Sequence, residues 1–146
     1  MFKYASSVVK HLPQVRGDAK PQVNRLEARL NTMVENVRGN PALRVTNDEG
    51  YRLWEEKAAT FVDVRDFDDY LKAHVPGAIP VPLSDANTYE ATLPGDKATP
   101  IVTACFRGNL SLSGVLMLKS MGYTDVRSLD GGITEWQEKG HSVEQN

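Results

Sequence analysis

Apolar residues Val23, Leu26, Leu30, Met33, Val34 and Val37 recur at intervals of three and four, which predicts one stripe of an α-helix. Gly39 and Pro41 end that helix. Upstream, Pro13, Gly17 and Pro21 break the chain into short pieces. From residue 42 the pattern changes to short apolar runs that alternate with helix-compatible stretches. Leu43-Arg44-Val45, Thr60 to Val64, Ala78 to Val81, Ile101 to Ala104 and Asp125 to Leu129 read as strands. Thr46, with Glu49 three residues on, caps a helix that reaches Glu56. Asp66 caps a short helix through Leu71, and Ser84 to Ala91 forms another. Ser111 to Met121 is a helix ended by Gly122, and Ile133 to Lys139 is the last. His74 to Gly77 and Asp130-Gly131-Gly132 are turns. This alternation argues for an α/β fold, with a mainly parallel five-stranded sheet and helices on both faces. Residues 1–40 form an N-terminal helical extension, and residues 41–146 form the domain.

The stripe in the extension needs a cover. The outer surface of its own domain is one candidate, and the same helix in a second copy is the other. About two heptads is short for a free coiled coil. The alternating spacing still favours a homodimer through residues 22–38 over an intramolecular cap.

Length and charge remove several classes. A chain of 146 residues suits one domain with little room for a second. The apolar and charged fractions, 40% and 25%, are those of an ordinary globular protein. A net charge of -2 supplies no basic field for nucleic acid. No apolar run approaches the roughly 20 residues that cross a membrane, so no membrane partner is expected. Residues 1 to 12 lack the apolar core and cleavage site of a secretory signal. Lys3, Ser6, Ser7 and Lys10 occur there without an acid, so a targeting segment within residues 1–20 stays open.

Candidate chemistry centres on the one cysteine, Cys105, at the end of the run Ile101 to Ala104. It has no internal disulfide partner, which fits a reducing compartment and a cytoplasmic location. A thiol between a buried strand and a helix N-terminus faces unpaired N–H groups and the positive end of a helix dipole. That setting favours thiolate over thiol. Parallel α/β sheets bind ligands at the carboxyl ends of their strands, where Cys105 lies. The plainer alternative is a small buried apolar residue. His11, His74 and His141 show no pairing motif with Cys105 and read as exposed or structural. No histidine base is required where the loop itself activates the thiol. No cofactor or metal site is expected.

Four segments stand in a definite order: Asp63-Val64-Arg65, His74-Val75-Pro76-Gly77-Ala78, Cys105-Phe106-Arg107-Gly108-Asn109, and Asp130-Gly131-Gly132 with Trp136. Over about residues 42 to 141 they resemble a rhodanese domain. The stretch Cys-aromatic-basic-Gly-Asn-x-Ser is most similar to the active loop of small single-domain thiosulfate sulfurtransferases. The resemblance implies a Cys105 that accepts sulfane sulfur from thiosulfate or another persulfide donor. It then hands that sulfur to cyanide or a thiol. Donor and acceptor are small molecules in this reading, and a protein acceptor stays open.

Residues 106–111 would form the active loop. Phe106 makes a wall of its mouth, and Arg107 holds a sulfonate end or steadies the thiolate. Gly108 permits a backbone shape that other residues resist. Asn109 and Ser111 shape the loop and cap the helix. Rhodaneses often carry a second arginine five positions after the cysteine, where this chain has Leu110. That departure weakens a doubly charged clamp and makes an organic or protein persulfide a more credible donor. Asp63, Arg65 and His74 read as structural residues near the site, the first two as an ion pair and His74 within a turn, and Trp136 reads as packing. A cysteine phosphatase or arsenate reductase would need arginine at the sixth position, which is Ser111. The remaining alternative is a non-enzymatic or partner-dependent sulfur-carrier module.

Overall fold

The computed structural model describes residues 20–146. His11 and the question of a targeting segment lie outside them. Helix α1 spans Lys20–Gly39 and carries the predicted stripe. Strand β1 (Arg44–Val45) leads into α2 (Asn47–Glu55), where Thr46 Oγ1 accepts the Glu49 N–H at 3.1 Å. There follow β2 (Thr60–Asp63), α3 (Phe67–Lys72), β3 (Ile79–Pro80), α4 (Ala86–Tyr89) and β4 (Ile101–Ala104). Helix α5 (Leu110–Ser120), β5 (Val126–Leu129) and α6 (Gly132–Glu138) complete the order.

The five strands form one sheet in the order β1-β5-β4-β2-β3, and every pairing is parallel. Three local expectations change in detail. Leu43 belongs to a 3-10 turn at Pro41–Leu43 and not to β1. The Asp66 side chain makes no capping bond; its carbonyl instead accepts the Asp69 and Tyr70 N–H groups. The run Ser84 to Ala91 is not one helix. A 3-10 turn at Leu83–Asp85, α4 and a second 3-10 turn at Glu90–Thr92 share it, and none has a side-chain cap to extend it.

Alternation along the strands divides the core into two layers. Val62, Val64, Ile101 and Val126 face α5 through Leu112, Val115 and Leu118. Phe61, Val102, Ala104 and Leu129 face α6 through Ile133 and Trp136. The same alternation places Cys105 in the α5 layer with Ile101. Helix α1 packs on α5 and buries Val34, with Leu30 half-buried, while Leu26 and Met33 stay exposed. No helix among the described residues is long and apolar enough to cross a membrane.

Candidate active site

Strand β4 ends at Ala104, and Cys105 follows as its next inward-facing residue, only 2% exposed. The chain then loops through Phe106, Arg107, Gly108 and Asn109 into α5. Within that loop the Gly108 N–H donates to Cys105 Sγ at 3.1 Å. Gly108 holds φ +96°, and a Cβ there would come within 3.2 Å of both Leu129 O and Gly131 N. A side chain at this position would separate the loop from the β5–α6 turn. Ser111 Oγ is the sulfur's other hydrogen-bond partner among the described residues, at 3.5 Å.

The β5–α6 turn braces the loop from behind. The Ile133 N–H donates to the Cys105 carbonyl at 2.8 Å, and the Thr134 N–H to the Phe106 carbonyl at 2.9 Å. These are first-turn donors of α6, groups with no partner inside their own helix. Gly132 makes the contact feasible, because a Cβ there would meet Cys105 O at 2.4 Å and Phe106 O at 2.5 Å. The turn is itself pinned twice. Arg44 forks onto Asp130 at 2.9 and 3.2 Å. Asn47 Nδ2 donates to the carbonyls of Asp130 and Gly132 at 2.9 and 3.0 Å.

Strand β2 supplies the opposite wall. Asp63 pairs in register with Ala104, so the residues after it emerge beside the loop. Arg65 and Asp63 are both buried and form a two-pronged ion pair. Arg65 Nε lies 3.0 Å from Oδ1, and Nη2 lies 2.8 Å from Oδ2. A second bond from Nη2 to the Ala73 carbonyl ties this fork to the end of α3. The guanidinium also sits 4.7 Å from the centre of the Phe106 ring, while Phe106 as a residue stays 47% exposed.

The other site candidates divide. Arg107 is exposed and makes no hydrogen bond or ion pair among the described residues. Asn109 makes no side-chain cap, and Ser111 lies inside α5 with its hydroxyl turned toward the sulfur rather than toward the helix end. Leu110 is half-buried against the α5 layer of the core. His74 is buried, and its ring bonds residues outside the loop: Nδ1 meets the Tyr70 carbonyl at 2.7 Å and Nε2 meets Glu144 at 3.2 Å. Its ring stacks on Tyr70 with centroids 3.7 Å apart. Burial first, then the charges of Asp63 and Glu144, push the Tyr70 phenol above its ordinary range. The neutral phenol donates to Ala78 O at 2.7 Å. His141 stacks on Tyr51, and Trp136 lies fully buried between α6 and the sheet.

Sequence reasoning missed Asn47, Ser128 and Thr103. Ser128 left a signal, as a small hydroxyl on the inward face of an apolar strand. Thr103 left the same signal. Asn47, just after an N-cap, carried none.

A family model of the rhodanese-like domain matches residues 46–139. The chain is 38% identical over 82 residues to thiosulfate sulfurtransferase GlpE of Pseudomonas fluorescens, covering 56% of this chain and 73% of that protein. Among solved structures, a thiosulfate sulfurtransferase of Pseudomonas aeruginosa superposes with a TM-score of 0.65 at 28% identity, over 77% of this chain but 22% of that one. The human single-domain sulfurtransferase superposes with a TM-score of 0.59 at 25% identity, over 67% of this chain and 97% of that one. With Cys105 in its braced strand-end loop and a family match over most of the chain, this protein belongs to the rhodanese-like domain family and is of the sulfurtransferase type.

Proposed function

We propose that the protein moves sulfane sulfur through a persulfide on Cys105. The contact that carries this reading is the Gly108 N–H directed at Sγ from a loop held against the β5–α6 turn. The Cys105 thiolate attacks the outer sulfur of thiosulfate. The S–S bond of the donor breaks, and sulfite leaves with its electron pair. A persulfide anion remains on Cys105. Cyanide then attacks the terminal sulfur, thiocyanate departs, and the thiolate returns. A thiol acceptor follows the same course as its thiolate and leaves as a persulfide. Neither step asks for a proton, which agrees with the absence of a histidine contact to the sulfur among the described residues. Arg107, free of other partners among the described residues, binds the sulfonate end of the donor. The exposed Phe106 ring gives an organic or protein thiol an apolar surface beside the sulfur.

The domain comprises residues 41–146 in this reading, and a second copy covers Leu26 and Met33 of α1. Intact mass tests the chemistry directly. Thiosulfate should add one sulfur atom to the protein, and cyanide should remove it with release of thiocyanate. Cys105→Ser should show neither event. Turnover retained by the serine variant would refute the mechanism.

A further inference from the structure

The second contact of the Cys105 sulfur leads inward. Ser111 Oγ stands 3.5 Å from Sγ and 2.6 Å from Ser128 Oγ. Both serines are completely buried, at 0% exposure. Thr103, the register partner of Ser128, competes for neither hydroxyl, because its Oγ1 donates to the Ser111 carbonyl at 2.8 Å. Burying two hydroxyls in an apolar layer is costly unless each is bonded.

Each hydroxyl has one proton to place. If Ser111 donates to Ser128, only lone pairs of Ser111 face the sulfur, which suits a thiol. If Ser128 donates to Ser111, the Ser111 proton is released toward the sulfur, which suits an anion. Burial keeps bulk solvent from making that choice. We propose that Ser128 is a positioning residue: by donating to Ser111 Oγ it turns the Ser111 proton onto the Cys105 sulfur whenever that sulfur is anionic. The role rests on Cys105 being the reactive nucleophile of the site. It gives β5 a part in the chemistry although Ser128 touches no reacting atom.

The test is the rate of Cys105 alkylation by iodoacetamide as a function of pH, which needs neither donor nor acceptor of sulfur. Ser128→Ala should slow alkylation near neutral pH by roughly three- to tenfold, the worth of one ordinary hydrogen bond, and move the profile to the alkaline side. Ser128→Thr keeps the hydroxyl and should restore the wild-type profile. In a Ser111→Ala background, Ser128→Ala should have no further effect, since its route to the sulfur is gone. An unchanged profile in Ser128→Ala, a threonine profile matching that of alanine, or an equal effect without Ser111 would each overturn the proposal. Thermal midpoints establish that each variant folds; should alanine fail to fold, Ser128→Val, which has the shape of threonine without its hydroxyl, takes its place with the same expected shift. A moved profile in a protein that forms no persulfide would keep Ser128 in its role and remove the sulfurtransferase reading instead.

Discussion

At the residue scale the site separates charges that hold structure from one that is free to act. Asp63 and Arg65 spend their charges on each other, and among the described residues the Arg65 side chain has only the Phe106 ring and the Ala73 carbonyl besides. A buried pair of this kind cannot release its guanidinium to a substrate without leaving a carboxylate unpaired. Arg107 stands exposed beside the loop with no such obligation. Replacing it by alanine should lower kcat/KM for thiosulfate by about 1–3 kcal/mol, the value of one charge-assisted contact. The thermal midpoint should hardly move, because an exposed loop side chain adds little to the core. Steady-state kinetics with cyanide as acceptor would measure the first quantity, and an unchanged efficiency would leave Arg107 a solvated loop residue.

At the element scale the first turn of α6 is what shapes the loop. Its N–H groups would otherwise lack partners, and two of them hold the Cys105 and Phe106 carbonyls. Gly132 sits at φ +58° with both carbonyls where a Cβ would stand. Gly132→Ala adds left-handed strain of about 1–2 kcal/mol and forces the loop away from α6. We expect a lower thermal midpoint, and a loss of persulfide formation larger than the fraction unfolded explains. Calorimetry and intact mass on the same sample would separate the two effects. Full labelling of Cys105 by thiosulfate in the alanine variant would show that the α6 contact does not set the loop.

At the scale of the whole molecule, the question is what α1 adds. Among the described residues, neither core layer includes a side chain of this helix, although Val34 is buried where α1 packs on α5. Removal of residues 1–39 should therefore leave a folded domain that still takes up sulfur. Full-length protein should sediment as a weak dimer, with Leu26 and Met33 covered by the partner helix, and the truncated form as a monomer. Monomers in both cases would leave α1 as a cap on its own domain, with those two side chains in water.

Much of this protein was legible along the chain, and the reason is range. Periods of two and near 3.6, an N-cap at Thr46 and punctuation by Gly39, Gly122 and Gly131 act over a few residues. The succession of strands and helices could therefore be read locally, as could a cysteine at the end of β4 followed by a glycine-bearing loop. The predicted stripe of α1 was legible too, but its cover was not, because Val34 is held by a helix more than seventy residues away in the chain. The order β1-β5-β4-β2-β3 was likewise decided only in three dimensions. It sets β5 beside β4, and so brings Ser128 within 2.6 Å of Ser111 and the Gly131-Gly132 turn against the loop. Local patterns say which face of a strand is buried but not which strand lies next to it. That choice depends on how two layers of helices cover both faces of one sheet, and the surroundings of the Cys105 sulfur follow from it.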